Sequence, residues 1–96
     1  MWARVGTYEM AGEEQLEEGI RGFERGLDAL RELEGVREAY LLVDRASGKA
    51  ATMTLWESEG ALRASEDVAD RVRRDAAGDA VRSVERYEVV RRERFG

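Results

Sequence analysis

An α+β fold, with one four-stranded antiparallel sheet carrying two helices on a single face, is what this sequence predicts. Three observations lead there. Four stretches of β-favoured residues and two helical repeats follow one another in the order βαββαβ. Each helical stretch stands between two strands, as a crossover connection requires. No proline interrupts any of the 96 residues, which suits regular elements joined by tight connections. At this length the chain is one domain, residues 1–96, with a modest core.

The first strand runs from Trp2 to Met10. Trp2, Arg4, Gly6 and Tyr8 share one face and Ala3, Val5 and Thr7 the other, and neither face is cleanly polar. Gly12 with Glu13, Glu14 and Gln15 reads as a helix start. Leu16, Ile20, Phe23, Leu27 and Leu30 then recur at alternating spacings of four and three, an apolar stripe on a helix ending near Leu33. Gly19, Gly22 and Gly26 flank that stripe, each costing the helix roughly 1 kcal/mol against alanine. Close packing against a neighbouring element or the wall of a pocket would each explain them. Gly35 ends the helix and Val36 to Asp44 forms the second strand. Arg45 to Lys49 is a short hairpin loop leading into a third strand, Ala50 to Glu57. Ser58 offers a capping oxygen to a second helix, Glu59 to about Asp75, and Glu59 complements its dipole. That helix turns Ala61, Leu62, Ser65, Val68, Ala69, Val72 and Ala76 to one side. Ser83 to Val90 is the fourth strand, followed by a charged tail from Arg91 to Gly96.

Composition removes several function classes. The net charge of −5 argues against nucleic acid or an anionic membrane as partner. Cysteine is absent, so disulfides, thiolate metal sites and a cysteine nucleophile are excluded. Histidine is absent too, which removes the commonest general base, metal ligand and proximal haem ligand together. Gly48-Lys49 lacks the upstream glycine spacing of a phosphate loop. The N-terminus has no apolar signal-like core and no apolar run spans a bilayer, so the expected location is the cytoplasm.

The element order satisfies the ferredoxin-like split βαβ motif, which leaves one sheet face without helices. Aromatic and aliphatic residues occur on both sides of the first three strands, so that bare face would be a large apolar patch. The expectation is a two-fold homodimer packed sheet to sheet, with Trp2, Tyr8, Met53 and Leu55 in its interface.

The stretch Leu55-Trp56-Glu57-Ser58-Glu59-Gly60-Ala61-Leu62, a strand-end tryptophan followed by a capped helix start, resembles the antibiotic-biosynthesis-monooxygenase group of the dimeric α/β-barrel superfamily. Gly35-Val36 and Arg86-Tyr87-Glu88-Val89 add to the likeness, which spans the chain in element order. The resemblance implies a cavity between sheet and helices with Trp56 in its wall, Thr54 and Thr52 on the same face, and Phe23, Leu27 and Leu62 as apolar lining. It implies oxidation of an electron-rich aromatic compound by molecular oxygen, without metal or other cofactor. The haem-degrading branch carries a histidine on the helix after the tryptophan, and Ser58 to Arg74 has none. That branch's strand-one asparagine aligns with Val5, so haem degradation is not expected. No catalytic residue is assigned. A base would have to be a carboxylate, a tyrosinate, an amine or an already acidic substrate. The alternative is a non-catalytic homodimer of the same fold, binding a small apolar or aromatic ligand or serving as an assembly or stress-related module.

Overall fold

The computed structural model describes all residues from Met1 to Gly96. The strands are β1 (Trp2–Glu9), β2 (Val36–Asp44), β3 (Lys49–Trp56) and β4 (Val81–Glu88). The helices are α1 (Glu13–Arg31), α2 (Glu59–Ala64) and α3 (Glu66–Ala77), with a 3-10 turn at Gly78–Ala80 before β4. The sheet order is β2-β3-β1-β4 and every pairing is antiparallel. β1 and β2 are thus parallel across β3, and β3 and β4 across β1, the two interleaved crossovers of the ferredoxin-like fold.

The helix side of the sheet carries Trp2, Arg4, Gly6 and Tyr8 of β1 opposite Trp56, Thr54, Thr52 and Ala50 of β3. Two apolar clusters occupy its ends. Tyr8, Leu16 and Ala50 form one, with Ile20 and Val81 against them; Leu30, Trp56 and Leu62 form the other, with Trp2, Leu27 and Val36. Between the clusters, the middle of that face is polar. Trp2 and Tyr8, expected in a dimer interface, therefore lie beneath the helices, because the period of two that links them to Arg4 carries them all inward.

The second helix does not run unbroken to Asp75. It breaks at Ser65, which is buried and closes α2 while α3 starts afresh at Glu66. The Leu62 carbonyl, which a continuous helix would offer to the Glu66 N–H, instead accepts from Ser65 Oγ at 2.6 Å and Arg4 Nη2 at 2.9 Å. A serine bonding back onto its own helix in this way bends it. Ser58 caps α2 as expected, its Oγ accepting from the Ala61 N–H at 3.1 Å. At the seam between α1 and α3, a Cβ on Gly22 would sit 2.7 Å from Ala76 Cα, and one on Gly26 would collide with Val72. These two glycines serve helix packing, whereas Gly19 borders a cavity.

On the outer face, a shift in register between Val36 and Glu38 changes the parity of β2. Val36 points inward beside Trp56, while Tyr40 and Leu42 point outward at 42% and 55% exposure. Tyr87 of β4 is outward as well, at 49%. Ala3 and Leu55 are outward yet buried, because the tail crosses that end of the sheet: Val89 and Arg91 to Phe95 flank a groove whose floor is Ala3, Met53 and Leu55. The tail is pinned by an Arg92–Glu38 ion pair and by the Val89 N–H on the Met1 carbonyl at 2.9 Å. Leu55, expected to await a second copy, is thus covered by its own chain, while Met53 is half-buried.

Candidate functional site

Between the two core clusters, a cavity of about 50 Å³ opens under α1 and α3. Its buried floor is Arg4, Tyr8, Phe23, Leu30, Thr54 and Ala69, and its half-buried rim includes Thr52, Leu41, Val72, Arg73, Ala76 and Ala77. Of the six residues expected to line it, Phe23, Thr52 and Thr54 do. Trp56, Leu27 and Leu62 do not. Trp56 is 0% exposed, wedged between Leu30 and Leu62, with Leu27 packed against the same group. Its indole N–H donates to Thr54 Oγ1 at 2.9 Å, so the tryptophan acts on the cavity through its neighbours and not as lining.

Arg4 is the residue that the sequence reading passed over. It is only 4% exposed, and its guanidinium lies over the Trp56 ring with 5.5 Å to the ring centroid. Nη2 donates to the Leu62 carbonyl and, at 2.8 Å, to Ser65 Oγ, and it pairs with Glu66 at 3.0 Å. The signal was available: an arginine in a strand with apolar residues on both faces cannot reach water on either. Burial pulls the Arg4 pKa down and Glu66 pulls it back; a guanidinium in such a pair stays cationic. Glu66 itself is held at about 2, first by hydrogen bonds from Arg86, then by those from Arg4, against the opposing effect of burial. Arg86 grips it with two bonds, 2.8 Å from Nε and 2.7 Å from Nη2. The N-terminus of α3, where Glu66 stands, favours the same negative charge.

Tyr8 shares a 2.9 Å hydroxyl–hydroxyl bond with Thr52. Burial pushes the Tyr8 hydroxyl above its usual pKa, which disfavours a tyrosinate base at this position. No carboxylate borders the cavity. Glu57 and Glu59 are engaged outside it, with Arg37 at 2.9 Å and Arg63 at 2.8 Å respectively. The lining therefore offers hydrogen-bond donors, positive charge and apolar surface, and no acceptor for a substrate proton. Val5, where the asparagine of the haem-degrading branch aligns, faces away from the cavity, and the inward positions beside it are Arg4 and Gly6. Among the residues lining this space no histidine is available to ligate haem iron, and the one phenolic hydroxyl is tied to Thr52. No group of three or more Asp, Glu, His or Cys side chains stands close enough to hold a metal ion. No helix is long and apolar enough to cross a membrane.

No protein-family profile matches the chain, and no curated protein matches it in sequence. Solved structures do match. SnoaB from Streptomyces nogalater, a cofactor-independent oxygenase seen in a mutant form, superposes with a TM-score of 0.72 at 14% identity, over 95% of this chain and 94% of its own. A dimeric ferredoxin-like protein from an uncultured marine organism gives 0.76 at 11% identity, over 99% and 100%. The haem degrader MhuD from Mycobacterium tuberculosis, with two haems bound, gives 0.71 at 18%, over 97% and 99%. The same fold recurs in a protein named as an antibiotic biosynthesis monooxygenase. At such identities the likeness establishes the fold, which is the one these proteins share.

Proposed function

We propose that the protein is an oxygenase of the antibiotic-biosynthesis-monooxygenase kind, oxidising a small phenolic compound with molecular oxygen in the cytoplasm. The observation that carries the reading is the cavity between sheet and helices, donor-lined and apolar, on the fold of a cofactor-independent oxygenase. In a reaction of this type the substrate supplies every electron. A ring-activated CH₂ becomes C=O, one oxygen atom of O₂ entering the product and the other leaving as water with both hydrogens, so no further reductant is needed. The role left to the protein is to bind the electron-rich form of the substrate and exclude bulk water. The cavity is smaller than the roughly 150 Å³ that takes a benzene ring, so the ring sits at the rim, among Leu41, Val72 and Ala76. Oxygen uptake is the test, with anthrone- and hydroquinone-type substrates, comparing the natural chain with Ala69→Val, which narrows the cavity floor. Uptake by the natural chain and its loss in the variant are expected. No uptake above background with any substrate would overturn the oxygenase and leave a ligand-binding module of the same fold.

The homodimer is part of the same proposal. Tyr40 and Leu42 on β2 and Tyr87 on β4 leave apolar surface exposed at the two edges of the outer face, of the kind that a second sheet covers. The likeness to a dimeric ferredoxin-like protein supports this.

A further inference from the structure

The chain beyond Val89 is the most lightly held part of the molecule. No backbone N–H from Val90 to Gly96 makes a hydrogen bond. Arg92 supplies every polar side-chain tie from the tail to the rest of the chain, pairing with Glu38 and standing 3.8 Å from Met1 Sδ. Arg91 pairs only with Glu93, inside the tail. Both members of the Arg92–Glu38 pair are partly exposed, and pairs of that kind hold weakly. Val90 and Phe95 gain no shelter from the arrangement, at 87% and 89% exposure.

This loosely held segment nevertheless lies across the apolar end of the outer sheet face. The outward side chains at that end include Ala3, Met53, Leu55 and Tyr40. At the opposite end they are Glu9, Asp44 and Lys49, with Arg82 paired to Glu9 at 3.0 Å. Two sheets packed face to face stand about 10 Å apart, a gap filled by interdigitated side chains. A backbone segment lying over Ala3 and Leu55 occupies that gap, and the charged end offers no apolar surface in exchange. The tail as it lies and a second copy packed on this face therefore exclude one another. The helices contribute none of the exposed large apolar side chains, whereas Tyr40, Leu42, Tyr87, Val90 and Phe95 all stand on this face or on the tail. The surface that calls for a second copy is thus the surface that the tail obstructs.

We propose that residues 90–95 form an autoinhibitory strap, latched by Arg92 on Glu38, that must leave its own sheet before a second copy of the chain docks there. This rests on the homodimer of the proposed function and adds what gates it. Each dimer frees two straps, so the apparent affinity scales with the square of the unstrapped fraction. Breaking the latch should therefore tighten the dimer, although it removes an ion pair.

Sedimentation equilibrium tests this on the full chain with Arg92→Gln, Glu38→Gln and the exchanged double variant Glu38→Arg/Arg92→Glu. The two single variants shift the net charge in opposite directions but lose the same latch. Both should dimerise about three- to tenfold more tightly than the natural chain, from a latch worth a factor of up to about five in each protomer. The exchanged pair should return to the natural value. Equal dissociation constants in all four proteins, or weaker dimers in the single variants, would overturn the strap and leave the homodimer standing. A natural chain that stays monomeric while the single variants pair would sink the constitutive homodimer and uphold the strap. Four monomeric proteins at 100 micromolar, a concentration on the order of a weak association, would end both. A second measurement needs no latch variant. The chain has no cysteine, so Arg94→Cys takes a single nitroxide, which broadens the NMR methyl signals of Met53 and Leu55 when the strap is closed. Isotope-labelled, spin-labelled chain is diluted into excess plain chain, so that only its own tail can broaden its own signals. The broadening should be present in the dilute monomer and lost in the dimer, and broadening that persists in the dimer would overturn the proposal.

Discussion

Replacing Glu66 by glutamine removes one charge from the ion pair that ties α3 to β1 and β4, and its effect can be worked out from the geometry. The carboxyl is held at about 2 against an ordinary 4.5, which corresponds to about 3 kcal/mol if the whole difference acted on folding. The side chain is 30% exposed, so solvent screening reduces this to about 2 kcal/mol. In a domain of this size that is a fall in Tm of roughly 8–16 °C. The sign follows from the depressed pKa. The stabilisation is fully present above pH 4.5 and is lost as the pH falls through about 2, so the natural chain should converge on Glu66→Gln across that window. Urea unfolding of both proteins, followed by tryptophan fluorescence at pH 7 and at pH 2.5, measures the gap. A gap below about 0.5 kcal/mol at pH 7, or one of the same size at pH 2.5, would refute the charge argument.

Three further outcomes can be checked directly. Trp56→Ala should cost about 3–5 kcal/mol, as expected for a fully buried ring, and chemical denaturation showing less than half of that would place the ring in a looser setting. Gly22→Ala gains about 1 kcal/mol of helix propensity but drives a methyl into the Ala76 backbone, 2.7 Å away. Overpacking of this kind costs about 1–3 kcal/mol, so thermal melting should show a net loss, and an unchanged or higher Tm would contradict the close seam. Leu42→Asp places a charge on the most exposed of the three outward apolar residues in the sheet; sedimentation should find the natural chain dimeric at micromolar concentration and the variant monomeric. A monomeric natural chain would remove the dimer from the proposed function.

The strands and α1 were legible because their periods are strong: the Leu16–Leu30 stripe and the four alternating runs lie within a residue or two of the elements that form. The direction of each strand face was not. Trp2-Arg4-Gly6-Tyr8 is no more apolar than Ala3-Val5-Thr7, and only the register against β3 assigns them. The irregularity beside Arg37 inverts the outlook of β2, and nothing in Val36-Arg37-Glu38 announces it. The break at Ser65 was hidden for a different reason. It depends on Arg4 reaching across from another element, a long-range contact that outweighs local helix preference. Within the candidate site, Thr52, Thr54 and Phe23 could be read from the resemblance, and Arg4 could have been flagged from its strand, whereas Arg73 becomes visible only once β1 and α3 face each other.

The strand order has a consequence for how the chain comes to be folded. Residues 2–9 are made first, yet they occupy the interior of the sheet, flanked by residues 49–56 and 81–88. A nascent chain cannot bury its first tryptophan, or neutralise the arginine two places on, until sequence far downstream has left the ribosome. Pairings this distant in sequence slow the search for the native topology and leave sticky intermediates open to association in the meantime. The opening strand should therefore be the last of the four to find shelter.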